Sequence, residues 1–279
     1  MDDPERITTH QTMNYQQIQP PDYLKSYVQH FWVLESNTLK IFRPIPDGCP
    51  GLIFQPTEKG TFYDQHGKQM PSLFLYGQTV QHREIHTNGY FSAMGIRFYP
   101  NGLKSIFGFD ADELTDTCVD VNVVATKQNL FLAEQLANAP SISHQIEQLS
   151  AYLLAQISKK RPQYDKTTQY VLNQMVESKG AVFLKELQQE LNVTERSFER
   201  KFKRYVGISP KLFSRICRFQ ASLSQLRTSN YDKLSDIAFD NGYADQSHFI
   251  RVFREFAGTV PDQYRKQAND IIQNLPEWL

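Results

Sequence analysis

The stretch Arg196-Ser197-Phe198-Glu199-Arg200-Lys201-Phe202-Lys203 returns 51 residues later as Ser247-His248-Phe249-Ile250-Arg251-Val252-Phe253-Arg254. Each copy is followed at the same distance by a stop, Gly207-Ile208-Ser209-Pro210 in the first and Gly258-Thr259-Val260-Pro261 in the second. Phenylalanines four apart fall on one side of a helix, so Phe198, Phe202 and Tyr205 form a packing stripe that Phe249, Phe253 and Phe256 repeat. A shorter helical pattern precedes each copy: Phe183 to Leu191, broken at Asn192-Val193, and Leu234 to Phe239, broken at Asp240-Asn241-Gly242-Tyr243. Thr194 and Asp245 stand where the second helices need N-caps. Between the copies, Pro210 to Arg227 predicts one unbroken helix with proline in its first turn. At ~1.5 Å per residue it spans about 27 Å, and it is expected to be a rigid spacer between the two units.

Beside each Phe stripe lies a polar one. Arg196, Glu199, Arg200 and Lys203 occupy it in the first copy, and Ser247, Arg251 and Arg254 hold three matching positions in the second. A helix, a short turn and a second helix present that second helix to a major groove about 12 Å wide. Arginine donates two hydrogen bonds to guanine, a carboxylate such as Glu199 accepts from cytosine, and lysine suits phosphate, so double-stranded DNA is the expected partner. The charge agrees once the chain is divided. Residues 1–160 hold 12 Lys and Arg against 16 Asp and Glu, whereas residues 161–279 hold 18 against 14. Within Thr194 to Arg227, nine basic residues face two acidic ones, the local positive footprint that phosphate attraction requires. The first unit carries this dense charge, and the second has Ile250 where Glu199 stands, so the first is expected to dominate affinity.

The N-terminal half reads differently. Tyr27–Leu34, Leu39–Ile45, Gly51–Gln55, Leu73–Tyr76 and Tyr90–Phe98 are short runs rich in aromatic and β-branched residues, punctuated by turn signals such as Pro46-Asp47-Gly48 and Asn88-Gly89. They predict a small β-barrel or sandwich. Asn101 to Phe109 predicts a short helix, and two helical patterns within 126–157 break at Ala139-Pro140-Ser141. The apolar stripes there, Leu130, Leu132 and Leu136, then Ile146, Leu149, Leu153 and Leu154, are expected to pair with another copy in a homodimer. The polar segment Ser158 to Lys166, broken by Pro162, places a linker between a regulatory domain over 1–160 and an all-α domain over 161–279. The fold class is therefore α+β.

Trp32, Arg43, Asp47 and Arg97, with the aromatics Phe54, Tyr76 and Phe98, are candidates to line a pocket for a small-molecule effector. His82, Glu84 and His86 invite a metal reading. Alternation on a strand spaces them by about 7 Å, too far for easy shared coordination, so no metal and no cofactor is expected. Cys49, Cys118 and Cys217 lack any CxxC spacing and are expected to be buried free thiols. No run of ~18 apolar residues suggests a membrane span, and Met1-Asp2-Asp3-Pro4-Glu5 lacks the order of a signal peptide, so a cytoplasmic protein is expected.

From about Asp165 to Lys266 these residues resemble the AraC/XylS family of transcription regulators. The most specific stretch is Leu234-Ser235-Asp236-Ile237-Ala238-Phe239-Asp240-Asn241-Gly242-Tyr243, continuing to Gly258-Thr259-Val260-Pro261-Asp262-Gln263-Tyr264-Arg265. The resemblance implies base contacts from Arg196, Glu199 and Arg200 in the first unit and from Gln246, Ser247 and Arg251 in the second. It also implies RNA polymerase as a partner, a cupin-like sensing domain and no enzyme activity. Gln188 departs from the family, which has a small residue there. Two rival readings remain: a cupin-type metal enzyme with a helical assembly tail, and a DNA-binding protein that needs no ligand.

Overall fold

The computed structural model describes residues 13–37, 41–56, 60–122, 131–159 and 165–267. The first part is built on strands. Met13–Ile18 (β1), Val28–Ser36 (β2), Gly51–Phe54 (β4), Leu73–Tyr76 (β6), Phe91–Phe98 (β8) and Cys118–Asp120 (β9) form a six-stranded sheet of order β1-β2-β8-β4-β6-β9. Every pairing in it is antiparallel. Ile41–Phe42 (β3), Phe62–Asp64 (β5) and Ile85–Thr87 (β7) form a second sheet of order β3-β7-β5.

Side chains alternate across a strand, and here both faces of the large sheet are covered. Phe31, Val33, Leu52, Phe54, Leu73, Leu75, Met94, Ile96 and Phe98 point to one side, where Gly102–Phe107 (α1), Leu132–Ala137 (α2) and Ile142–Lys159 (α3) pack. Trp32, Leu34, Ile53, Phe74, Phe91 and Ala93 point to the other, against Phe42 and Phe62 of the small sheet. Double coverage explains why β2 is buried along nearly its whole length. It also gives most of the apolar stripes on α2 and α3 a partner within the chain. Leu132, Leu136, Leu149 and Leu153 are buried in this domain's own core with Ile146 packed against it, and Leu154 with Ile142 stays exposed. Leu130 and residues 160–164 of the expected linker lie outside the described residues.

Lys166–Glu177 (α4), Leu184–Glu190 (α5), Glu195–Val206 (α6), Pro210–Arg227 (α7), Leu234–Asp240 (α8), Gln246–Ala257 (α9) and Pro261–Gln267 (α10) make up the helical part. Thr194 and Asp245 cap α6 and α9 as expected, accepting from the backbone N–H of Ser197 and His248. Gly207 and Gly258 close the same helices in the left-handed region, at φ 98° and 71°, where a glycine costs least. The leading helices α5 and α8 begin 50 residues apart and the second helices 51 apart, so the second turn is one residue longer.

The long helix α7 is more than a spacer, because both units are cored on it. Phe202 meets Phe213 at 5.7 Å, while Phe253 and Phe256 meet Phe219 at 5.5 and 5.2 Å. Phe249, Phe253 and Phe256 are fully buried. In the first copy Val206 takes the deep position and Tyr205 is only half-buried. Gln188 is half-buried where the second unit buries Ala238 completely. Emptying the site of Phe219 leaves a cavity against α9, so Phe219→Ala is expected to cost ~3–5 kcal/mol in urea unfolding. Its effect should exceed that of Leu212→Ala, which trims a partly buried neighbour on the same helix.

Candidate nucleic-acid interface and the cavity behind it

Arg196, Glu199, Arg200 and Lys203 project from α6 into solvent, and Gln246, Ser247, Arg251 and Arg254 project from α9. Among the described residues none of these eight side chains makes a hydrogen bond or ion pair. Several basic neighbours are engaged. Lys201 pairs with Asp165 at 2.9 Å, Arg204 with Asp110 at 3.1 Å and Arg215 with Glu255 at 2.6 Å. Arg218 donates to the carbonyls of Gly242 and Gly180, and Arg227 donates to the Tyr264 hydroxyl. These five cations off the polar stripes are tied into the fold, and those on the stripes are left open. Each stripe also begins at a helix N-terminus, which favours phosphate.

Behind this surface lies a cavity of about 500 Å³. Trp32, Arg43, Asp47 and Arg97, the four residues expected from the sequence, all line it, as does Tyr76. Phe54 and Phe98 do not. They sit at even positions of β4 and β8, whose side chains face the helices, whereas Ile53 and Arg97 face the cavity. Two glycines leave room for lining side chains: a Cβ on Gly95 would collide with the Trp32 ring, and one on Gly51 would collide with the Tyr76 hydroxyl.

Three ion pairs line the cavity. Arg97 reaches Asp47 and Arg43 reaches Glu84, each at 2.9 Å, and Arg83 reaches Asp116 at 3.4 Å. Burial raises the Asp47 carboxyl above its ordinary value against the lowering pull of Arg97. Burial, and then Arg97, push the His30 imidazole down to about 4. Two lining residues, Gln220 and Arg227 of α7, carry no signal in the sequence, because they come from the other half of the chain. Gln220 donates to the Pro46 carbonyl at 2.6 Å, and the Asp47 carboxylate accepts from the Cys49 N–H at 2.9 Å. The loop 46–50 thus joins the cavity to the helix on which both units are cored.

Other expectations are adjusted by the structure. His86 lies on β7, but His82 and Glu84 precede the strand, and the Glu84 carboxylate is turned to Arg43, with His86 3.7 Å away. Among the described residues no three His, Cys, Asp or Glu side chains converge on a metal-sized point. Cys49 is buried and Cys217 half-buried, whereas Cys118, on the edge strand β9, is exposed. No helix among the described residues is long and apolar enough to cross a membrane.

Residues 187–267 match a helix-turn-helix domain family, and residues 16–120 match a domain family of unknown function. An uncharacterised HTH-type transcriptional regulator of Haemophilus influenzae is 28% identical over 153 residues, 50% of this chain and 51% of that protein. The HTH-type transcriptional activator RhaS of Escherichia fergusonii is 31% identical over 78 residues, 28% of each chain. The match thus spans about half the length of the first relative and less of the second. A solved structure of ToxT from Vibrio cholerae aligns over 91% of this chain and 97% of that one, at a TM-score of 0.43 and 16% identity. The class is that of helix-turn-helix proteins. Residues 187–267 carry that domain, and the relatives matched are named as transcriptional regulators, in line with the AraC/XylS resemblance.

The His30 shift gives the cavity a pH signature. Unfolded, His30 takes up a proton near pH 6.5, and folded only near 4. Between those values the unfolded state binds more protons, so stability is full above about pH 6.5 and falls as pH falls toward 4. The melting temperature of His30→Gln is expected to fall less than that of the wild type over this range, measured by circular dichroism.

Proposed function

We propose that this protein is a sequence-specific DNA-binding transcription regulator controlled by a small molecule held in the cavity. The observation that carries the reading is the pair of polar stripes on α6 and α9: eight exposed, unbonded side chains, six of them in pairs 51 residues apart, beside cations that are tied into the fold. In this reading α5 with α6, and α8 with α9, are two helix-turn-helix units, and Arg196, Glu199, Arg200, Gln246, Ser247 and Arg251 face bases. Lys203 and Arg254, one turn further from the helix N-termini, serve phosphates. Residues 1–160 form a cupin-like regulatory domain and 161–279 the DNA-binding domain. RNA polymerase is the partner that the family relation implies. A homodimer would use what α3 leaves exposed, Ile142 and Leu154. The protein acts in the cytoplasm and is no enzyme.

Two features favour ligand control over the ligand-independent reading. The cavity is walled by Trp32, Phe42, Ile53 and Phe74 with polar anchors at Arg97 and Asp47, the composition of a small-molecule site. It also includes α7 in its wall, so an occupant touches the helix that carries both units. An occupant that differs in affinity between two arrangements of that helix shifts DNA binding by up to that factor.

The test is DNA binding by the full chain to sites enriched from random duplexes. Affinity should fall steeply with salt, and its absence at any ionic strength would overturn the reading. On the enriched site Arg200→Ala and Arg251→Ala should each lose about 1–3 kcal/mol, with smaller losses on random DNA. Equal losses on both would make these phosphate contacts. Arg200→Ala should lose more than Arg251→Ala, in line with the charge of the first unit. For the cavity, Trp32 emission in a Trp278→Phe background should respond to the same metabolites that change DNA affinity.

A further inference from the structure

Both second helices end on the N-terminal domain. At the end of α6, the Thr115 hydroxyl donates to the Gly207 carbonyl at 2.6 Å. A Cβ on Gly207 would lie 3.1 Å from the Ala111 carbonyl oxygen, 3.1 Å from Thr115 Oγ1 and 3.2 Å from Gln78 Cγ. One turn earlier, Arg204 Nε meets the Asp110 carboxylate at 3.1 and 3.2 Å. At the end of α9, a Cβ on Gly258 would collide with Cδ2 and Nε2 of His82. The two glycines of the repeat are therefore contact points as well as helix stops, and Gln78 and His82, which meet them, belong to one segment between β6 and β7.

That segment is itself held firmly. Gln78 donates from Nε2 to the Gly48 carbonyl at 2.7 Å, and its own carbonyl accepts from the Asp116 N–H at 2.8 Å. The Asp116 carboxylate accepts from the Val80 N–H at 3.0 Å and pairs with Arg83. Val80 also packs on the core of the helical part. Meanwhile all eight residues of the two polar stripes stay exposed, so the N-terminal domain grips α6 and α9 at their C-terminal ends without covering the faces proposed for DNA.

We infer that the ridge formed by Gln78, His82 and Thr115 is a clamp that sets the angle between α6 and α9, and so determines which spacing between two half-sites the protein accepts. His82 and Thr115 are then positioning residues for DNA specificity that touch no DNA. The inference rests on the DNA-binding reading above. Its physical basis is that helix α7 fixes where each core sits, while each second helix still rocks about its aromatic contact unless its far end is pinned. A half-site spacing shifted by one base pair rotates one groove against the other by about a tenth of a turn, so small rocking decides which spacings are accepted.

The experiment is selection from a random duplex library by the full-length wild type, by His82→Ala/Thr115→Val and by Thr115→Ser, followed by sequencing. The wild type is expected to enrich two half-motifs at a single spacing. The double variant should enrich the same half-motifs spread over spacings one base pair shorter and longer, and Thr115→Ser, which keeps the hydroxyl and His82, should retain the single spacing. Retention of the single spacing by the double variant overturns the clamp and leaves α7 as the sole determinant, with the DNA-binding reading intact. Loss of all enrichment by a double variant that melts like the wild type also overturns it, because the polar stripes are untouched. Failure of the wild type to enrich any motif removes the DNA-binding reading and the clamp with it.

Discussion

Two aromatic cores strung on one helix constrain everything else in the C-terminal half. Phe213 and Phe219 stand less than two turns apart on α7, and each completes the packing of a different copy of the repeat. Neither copy is a closed body without the helix, so the cores behind the stripes on α6 and α9 take their places from a single rigid element. The same helix turns Gln220 and Arg227 toward the N-terminal domain and completes a cavity there. One element therefore carries both copies on some of its sides and a cavity wall on another, which is why its sequence combines buried phenylalanines with polar residues at helical spacing.

The helical half is largely legible in the sequence because its signals are local. Capping by Thr194 and Asp245, the Gly-x-x-Pro stops and the Phe period are read within one turn of where they act. Helix 210–227 and strand 73–76 have the bounds expected from proline and from aromatic runs. The β half is legible in outline only. β1, β5, β7 and β9 are short edge or small-sheet strands whose residues, such as Tyr63 and Asp64, carry no strong alternation. The stripes on α2 and α3 look like subunit surface in one dimension, because the sheet that covers them lies far away in sequence.

The site divides along the same line. Seven of the eight exposed residues on α6 and α9 are where the period puts them, on open faces, since a helix face is a local property, and Gln246 comes from the family resemblance. The four cavity residues are found through residue type, but Phe54 and Phe98 fall on the opposite face because strand parity is invisible until the register is known. Gln220, His82 and Thr115 have no local signal at all. Their importance comes from contacts spanning 174 residues in the case of Gln220 with Pro46 and 92 in the case of Thr115 with Gly207.

The separation of bonded from unbonded cations has a consequence for how such a protein changes over time. Residues that hold the fold and residues that face outward are disjoint sets on the same helices. Substitutions at 196, 199, 200, 247 or 251 break no hydrogen bond and open no cavity, so they fall among surface changes that alter stability by only about ±0.5 kcal/mol. Preference for one nucleotide sequence can drift to another with little thermodynamic penalty, whereas Arg204 and Lys201, one step round the helix, are held in place by their carboxylate partners. Such an arrangement lets duplicated genes acquire new targets without first acquiring new folds.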